Sequence, residues 1–152
     1  MNDFVKLAVR GVQALKPYQP GKPVDELERE YSLTGIIKLA SNENPLGPGS
    51  RVIEVLQNNL KELTRYPDGN GFDLKQALAN KYLNITTDNI TLGNGSNDIL
   101  EIIARAFVSE NDSVIYSEHA FAVYPIVTQA IGATAVVTLA KDWGHDLSAM
   151  LS

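Results

Sequence analysis

The second half of the chain alternates between short apolar runs and amphipathic segments, and this alternation constrains the fold more than any other feature. The predicted elements are strands over 90–92, 113–116 and 134–139, with helices over 97–108 and 121–131 between them. A βαβαβ succession predicts an α/β fold with a largely parallel sheet. Three strands are few for a parallel sheet, whose two faces are normally covered. The pattern is therefore typical of the front part of a larger α/β domain.

The first 89 residues are richer in turn formers. Helical spacing predicts helices over 3–15, 50–63 and 73–82, with Asp73 as a candidate cap for the last one. Pro23, well placed at a first helical turn, predicts a short acidic helix over 24–31. A short strand is predicted over 36–39, and a proline-rich arm over 16–23. We therefore expect three regions: an N-terminal arm and loop over 1–49, a helical segment over 50–89, and a truncated larger domain over 90–152.

Composition excludes several classes of function. The 152 residues carry a net charge of −5 and no cysteine. Disulfides and cysteine-ligated metals are therefore excluded, and a nucleic-acid or anionic-membrane partner is not expected. With only His119 and His145, no metal site is expected either. No apolar run approaches the ~20 residues of a membrane span, and no apolar leader follows the charged start, so we expect a cytoplasmic protein.

The segment Gly93-Asn-Gly-Ser96 is the strongest binding signal, because it joins a predicted strand to a predicted helix. Such a turn offers backbone N–H groups and the positive end of a helix dipole, which suit a phosphate group. Asp98 stands where the dinucleotide fingerprint has its third glycine, and no Gly-Lys-Ser/Thr follows, so neither common nucleotide motif is present. The turn alone leaves open an ordinary strand-to-helix connection with Ser96 as the helix cap.

Three further segments concentrate side chains that could contact a ligand. They are Ser41-Asn-Glu-Asn-Pro45, Arg65-Tyr-Pro-Asp-Gly-Asn-Gly71 and His119-Ala-Phe-Ala-Val-Tyr124. Each also has an ordinary interpretation, as an Asx-turn, a plain turn and a core aromatic with a surface histidine. Tyr66 could donate a hydrogen bond to a phosphate, and Phe121 could stack on a flat ring. Lys141, between a threonine and a glycine, superficially resembles a cofactor-linked lysine but is interpreted as a surface residue.

Taken together, these motifs resemble those of histidinol-phosphate aminotransferases, which are pyridoxal-phosphate (PLP) enzymes of fold type I. The resemblance rests on five ordered segments, including Lys16-Pro-Tyr18, Leu39-Ala-Ser-Asn-Glu-Asn-Pro45 and Leu92-Gly-Asn-Gly-Ser-Asn97, and covers residues 9–146. It implies that the chain forms the front part of an aspartate aminotransferase-like large domain. The implied reaction converts histidinol phosphate and 2-oxoglutarate to imidazole acetol phosphate and glutamate, in histidine biosynthesis.

The resemblance also implies roles for particular residues. The cofactor phosphate would be bound by Gly95, Ser96 and Asn97, and the pyridine ring would stack on Phe121. Tyr66 would reach the cofactor phosphate of the neighbouring subunit in a homodimer. Tyr18, Asn42 and Asn44 would face the substrate.

The lysine, aspartate and arginine that the family uses for bond chemistry would lie beyond Ser152, so no catalytic residue is expected here. We accordingly expect no transamination by these 152 residues alone. The alternatives are a sister enzyme, such as an aromatic aminotransferase or a threonine-phosphate decarboxylase, and a truncated non-enzymatic paralogue that binds a phosphate ligand or pairs with a longer partner. An unrelated phosphate- or nucleotide-binding α/β domain is a further alternative.

Overall fold

The computed structural model describes residues 3–152, which form two compact units. One unit comprises residues 3–18 and Thr91–Ser152, and the other comprises Gln19–Ile90. The first unit contains α1 (Arg10–Gln13), α5 (Ser96–Phe107), β1 (Ser113–Ser117), α6 (Val123–Ile131), β2 (Thr134–Thr138), β3 (Ala140–Lys141), β4 (Gly144–His145) and α7 (Leu147–Leu151). The second contains α2 (Val24–Tyr31), α3 (Ser50–Asn59) and α4 (Phe72–Lys81). Short 3₁₀ helices span Asp3–Leu7, Leu60–Glu62 and Thr87–Asn89. The expected three-region division stays a prediction.

A parallel pair of strands organises the first unit. β1 and β2 run in register from Ser113 opposite Thr134 to Ser117 opposite Thr138, and α6 connects them. The pairing continues past both ends, since the Thr134 N–H donates to the Asp112 carbonyl and the Glu118 N–H to the Thr138 carbonyl, each at 2.9 Å. A parallel pair joined by a helix is the βαβ unit, so the predicted α/β class is confirmed.

The predicted strands over 90–92 and 36–39 are wrong for this chain, and the βαβαβ succession reduces to β1–α6–β2. Ile90 does have extended backbone, with φ −115° and ψ 119°. A segment counts as a β-strand only when its backbone is hydrogen-bonded to a neighbouring strand. Among the described residues, no strand pairs with either of these two segments. The strand expected over 134–139 ends at Thr138. The antiparallel pair of β3 and β4 follows it, closed by two residues of positive φ, Asp142 and Trp143.

Most of the predicted helices are present, but several begin or end at other residues than predicted. α2 has the predicted limits, and α3 starts at the predicted residue but ends at Asn59, where a 3₁₀ turn continues. The helix expected over 3–15 is wrong: a 3₁₀ helix and α1 are separated by Ala8 and Val9, and the backbone of Val9 is extended, with ψ 148°. A segment this short needs packing to hold a continuous helix, and its apolar side chains remain largely exposed.

The core of the described chain lies between β1 and α6. Its buried side chains are Tyr116, Ser117, Val123 and Thr128. The Thr128 hydroxyl donates to the Tyr124 carbonyl at 2.8 Å, which satisfies a buried polar group within the helix. The connection between β1 and α6 is thus anchored at both ends by buried residues.

Among the residues described, no helix is long and apolar enough to cross a bilayer.

The core assignment predicts that Val123→Ala destabilises the chain. Val123 is 5% exposed, so loss of two methyl-sized groups should lower the free energy of unfolding by about 1.5 kcal/mol. Val55→Ala is the matched control, because Val55 also lies in a helix but is 60% exposed, and it should cost less than about 0.5 kcal/mol. Urea unfolding followed by circular dichroism measures both. Equal losses would contradict this location of the core.

Candidate functional site

The two glycines of the turn before α5 have different surroundings. A Cβ on Gly93 would lie 2.8 Å from Cδ1 of Ile99 and 3.0 Å from Oδ2 of Asp98, so a side chain there would require these two side chains to shift. Gly95 instead has φ 86°, and a Cβ there would meet no atom within 4 Å. The turn therefore packs closely on the helix at Gly93 and leaves open space at Gly95.

The N-terminus of α5 is uncapped by any side chain. The helix begins at Ser96 with Gly95 at the N-cap position, so the alternative of Ser96 as the cap is wrong. The turn uses some of its own donors: the Asn94 N–H donates to Oδ2 of Asp98, and the Gly95 N–H to the Gly93 carbonyl, both at 2.9 Å. The N–H groups of Ser96 and Asn97 point out of the first turn, where a helix offers them no partner. With the helix dipole, they form a donor set suited to an anion.

Phe121 and Tyr18 lie together in the first unit. Phe121 sits in the connection between β1 and α6, and its ring centroid is 6.0 Å from that of Tyr18, with an interplanar angle of 69°. This is the edge-to-face arrangement that aromatic rings prefer. Phe121 is 43% exposed and Tyr18 is 46% exposed, so both rings keep free surface. The core-aromatic alternative for Phe121 is therefore not what the structure shows.

The connection that carries Phe121 is held by contacts with the β3–β4 pair. Oε1 of Glu118 accepts the Ala140 N–H at 2.7 Å, and the His119 ring stacks on Trp143 at 5.1 Å. Sequence reasoning singled out neither Glu118 nor Trp143, because these contacts join segments that no local pattern relates. Lys141 is exposed in β3, in agreement with its interpretation as a surface residue.

In the second unit, the loop over 41–45 is organised by Asn44. Its side-chain oxygen accepts the Leu46 N–H at 3.0 Å, and its side-chain amide donates to the Gly47 carbonyl at 3.1 Å. This is the Asx-turn that its sequence also allowed. Asn42 is exposed. A substrate-facing role for Asn42 and Asn44 stays a prediction.

The loop over 65–71 presents a fully exposed Tyr66 beside a structured turn. Asp68 accepts the Phe72 N–H at 2.8 Å and the Asn70 N–H at 3.0 Å. These two bonds, with a smaller contribution from Lys75, hold the pKa of the Asp68 carboxyl below its usual value. Asp68 thus caps α4 from four residues away, and the prediction that Asp73 does so is wrong, since Asp73 lies inside the helix.

The predicted site residues divide between the two units. Tyr18, Gly95, Ser96, Asn97 and Phe121 belong to the first unit, and Asn42, Asn44 and Tyr66 to the second. Among residues 3–152 there is no group of three or more acidic or histidine side chains that could hold a metal ion. The groups of the first unit that are suited to binding a ligand are therefore the backbone donors at the start of α5 and the pair of Tyr18 and Phe121.

Comparison with known proteins identifies the family. The sequence model described as "Aminotransferase class I and II" matches residues 34–152. The chain belongs to this family. Among curated relatives, it is 60% identical over 151 residues to histidinol-phosphate aminotransferase 2 of Pseudomonas fluorescens, covering 98% of this chain and 40% of the relative. It is 56% identical over 149 residues to histidinol-phosphate aminotransferase 1 of Mannheimia succiniciproducens, with coverage of 98% and 40%.

A solved structure agrees with this assignment. The histidinol-phosphate aminotransferase of Sinorhizobium meliloti, crystallised with pyridoxal-5'-phosphate, superimposes with a TM-score of 0.79 at 25% identity, covering 93% of this chain and 37% of that one. The resemblance expected from the motifs is therefore confirmed, as is the front part of a fold type I domain. The chain spans about 40% of the length of the curated relatives it matches.

The capping role of Asp68 predicts a defined pH dependence. Its pKa is lowered in the fold, so its stabilising contribution is complete above the unfolded value of about 3.9 and is lost as pH falls through the folded value. Asp68→Asn should therefore be less stable than the parent chain at neutral pH, and the difference should shrink below about pH 4. Urea unfolding across this range measures it. A difference that does not change with pH would contradict the role of the charge.

Proposed function

We propose that this chain forms the cofactor-phosphate-binding, N-terminal part of a PLP-dependent aminotransferase that acts on histidinol phosphate and 2-oxoglutarate. The observation that carries the proposal is the 60% identity, over nearly the whole chain, to a curated histidinol-phosphate aminotransferase. The relatives named above share this activity in their names, which favours it over an aromatic aminotransferase or a threonine-phosphate decarboxylase.

The donor set at the start of α5 fits the phosphate of PLP. The open space beside Gly95, its positive φ, and the outward N–H groups of Ser96 and Asn97 form a cradle that a side chain at 95 would strain. The Ser96 hydroxyl adds a donor of its own. Asp98 is the one nearby negative charge on the turn, and its carboxylate is engaged by the Asn94 N–H. These residues would hold the phosphate by hydrogen bonds and the helix dipole.

The aromatic pair would orient the flat ring of the same cofactor. Phe121 keeps an exposed ring surface and is fixed by a connection anchored in β1 and α6. When bound, PLP supplies the electron sink for amino-group transfer, and the protein supplies binding and orientation. Phe121 would stack on the pyridine ring, and Tyr18 would face the substrate beside it. Asn42 and Asn44 would contribute substrate contacts from their loop.

The proposed enzyme is a homodimer in the cytoplasm, and Tyr66 is the residue proposed to act across its interface. Its side chain is fully exposed, so its hydroxyl is free to reach a group outside the described unit. In the proposed dimer it would donate to the cofactor phosphate of the neighbouring subunit. A phenol donor and backbone N–H groups on one phosphate would share its charge between two subunits.

Exposed apolar side chains support a chain that is completed by further sequence. They occur on helices of both units, for example Leu56 and Phe107, which are 61% and 80% exposed. Additional chain, as in relatives that are about two and a half times as long, would cover such surface.

The proposed phosphate site predicts an effect of Gly95→Ala. A side chain in the left-handed region is strained, so reshaping of the turn should weaken binding of inorganic phosphate or PLP by about tenfold. Gly35→Ala is the matched control, because Gly35 has φ 71° and also meets no atom within 4 Å. Amide chemical-shift titration of the full chain measures both. Phosphate shifts that are absent from residues 95–97, or equal in both variants, would contradict the site.

The proposal that the cofactor-linked lysine lies outside these 152 residues predicts that they show no transamination by themselves. An assay with histidinol phosphate, 2-oxoglutarate and PLP should give no turnover. Borohydride reduction after PLP addition, followed by mass spectrometry, should label surface lysines partially and without preference. Turnover, or stoichiometric labelling of Lys141, would contradict the proposal that the cofactor-linked lysine lies outside these residues.

A further inference from the structure

Among the glycines of the first unit, Gly11 in α1 lies nearest to another backbone segment, which is the end of α6. A Cβ on Gly11 would lie 2.2 Å from the Gln129 carbonyl oxygen and 2.8 Å from that of Ala130. Real Cβ atoms essentially never come this close to another atom, so only glycine fits this position without movement. The side-chain amide of Gln129 also donates to the Gly11 carbonyl at 3.4 Å. α1 therefore rests on α6 at Gly11.

The atoms facing Gly11 cannot easily move away. Both are backbone oxygens of α6, and the helix end is fixed by the Gly132 N–H donating to the Gln129 carbonyl at 3.0 Å and the Ala133 N–H donating to Thr128 at 3.1 Å. Thr128 is buried, and Gly132 ends the helix with φ 88°. A rigid acceptor surface of this kind allows α1 to approach only where there is no side chain.

Apolar packing fixes this segment only in part. A groove of about 1290 Å³ lies between residues 9–15, α5 and α6. Val9 and Val12, which line it, are 68% and 41% exposed, while Leu15 is partly buried. Side chains as exposed as Val9 and Val12 bury little apolar surface. How closely α1 can approach α6 therefore depends on the absence of a side chain at Gly11.

The link from α1 to Tyr18 is short and stiff. α1 ends at Gln13, and Pro17 fixes its own φ while it restricts Lys16 to extended backbone. Tyr18 follows directly, with its ring edge-to-face against Phe121 at 6.0 Å. A shift of α1 on α6 would therefore be transmitted to the Tyr18 ring rather than absorbed by the link.

We propose that Gly11 is a positioning residue: because it has no side chain, α1 can approach the carboxyl end of α6 closely enough for Tyr18 to lie against Phe121. The importance of this placement for activity rests on the proposed function, because Tyr18 and Phe121 are the residues proposed to contact the substrate and the cofactor ring. The contact itself belongs to this chain without any ligand.

The test compares three variants of the full chain. Gly11→Ala places a methyl group against backbone oxygens and should abolish the nuclear Overhauser contact between the Tyr18 and Phe121 rings. Amide exchange over residues 10–18 should become about tenfold faster. Gly21→Ala is the matched control, because Gly21 has no positive φ and a Cβ there would only touch Ser41 Oγ at 3.7 Å. It should preserve the ring contact. Gln129→Ala, which removes the side-chain bond alone, should preserve it too.

The outcomes are separable from loss of fold and from failure of the proposed function. Unchanged amide shifts in β1 and β2 show that the variants remain folded. A ring contact that survives Gly11→Ala in the folded chain, or that is lost in Gln129→Ala, would overturn the proposal. Titration with inorganic phosphate should be unaffected by Gly11→Ala, whereas binding of PLP should weaken. If inorganic phosphate does not bind residues 95–97 in any variant, the proposed function fails while the ring contact still decides the role of Gly11.

Discussion

The parallel pairing of β1 with β2 is the constraint on which the first unit depends. The buried side chains of the described residues come from β1 and from α6, the helix that joins the two strands. Hydrogen bonds extend the pairing past both strand ends, and the last of them, from the Glu118 N–H, leads directly into the connection that carries His119 and Phe121. The position of Phe121 therefore depends on strand register, whereas Tyr18 reaches it from the N-terminal segment.

Asp112 shows how the same pairing is secured at its other end. Its carbonyl accepts the Thr134 N–H, while its carboxylate accepts the Ser109 hydroxyl at 2.6 Å and the Ser109 N–H at 2.8 Å. These hydrogen bonds, with the hydroxyl contributing most, hold the pKa of the Asp112 carboxyl below its usual value. The turn between α5 and β1 is thus fixed by an ionised side chain, and this fixes where β1 begins relative to α5.

The sequence was sufficient for features that local chemistry decides. Pro23 and the acidic stretch after it predicted α2, helical spacing predicted the start of α3, and short apolar runs predicted β1 and β2. These signals are local because side-chain spacing and backbone preference act within a few residues. The strand over 90–92 was not predictable in the same way. Its residues favour extended backbone, but its existence as a strand depends on a neighbour whose position no local pattern encodes.

The features of the candidate site likewise differ in whether local sequence could predict them. The glycine turn before α5 was recognisable, because strand-to-helix turns with paired glycines have a local signature. The contact of Tyr18 with Phe121 and the approach of Gly11 to α6 were not, since each joins segments distant in sequence. Asp68 could have been found: an aspartate followed by glycine in a turn commonly accepts the backbone N–H groups that follow it.

The stacked pair of His119 and Trp143 has a spectroscopic consequence. Trp143 is the only tryptophan in the sequence, and it is largely exposed, with its ring face against the imidazole at 5.1 Å. Because there is one tryptophan, all tryptophan fluorescence of these 152 residues originates beside the connection that bears Phe121. Indole emission responds to its immediate surroundings. The molecule therefore contains its own optical probe of that connection, at a position where no label needs to be introduced.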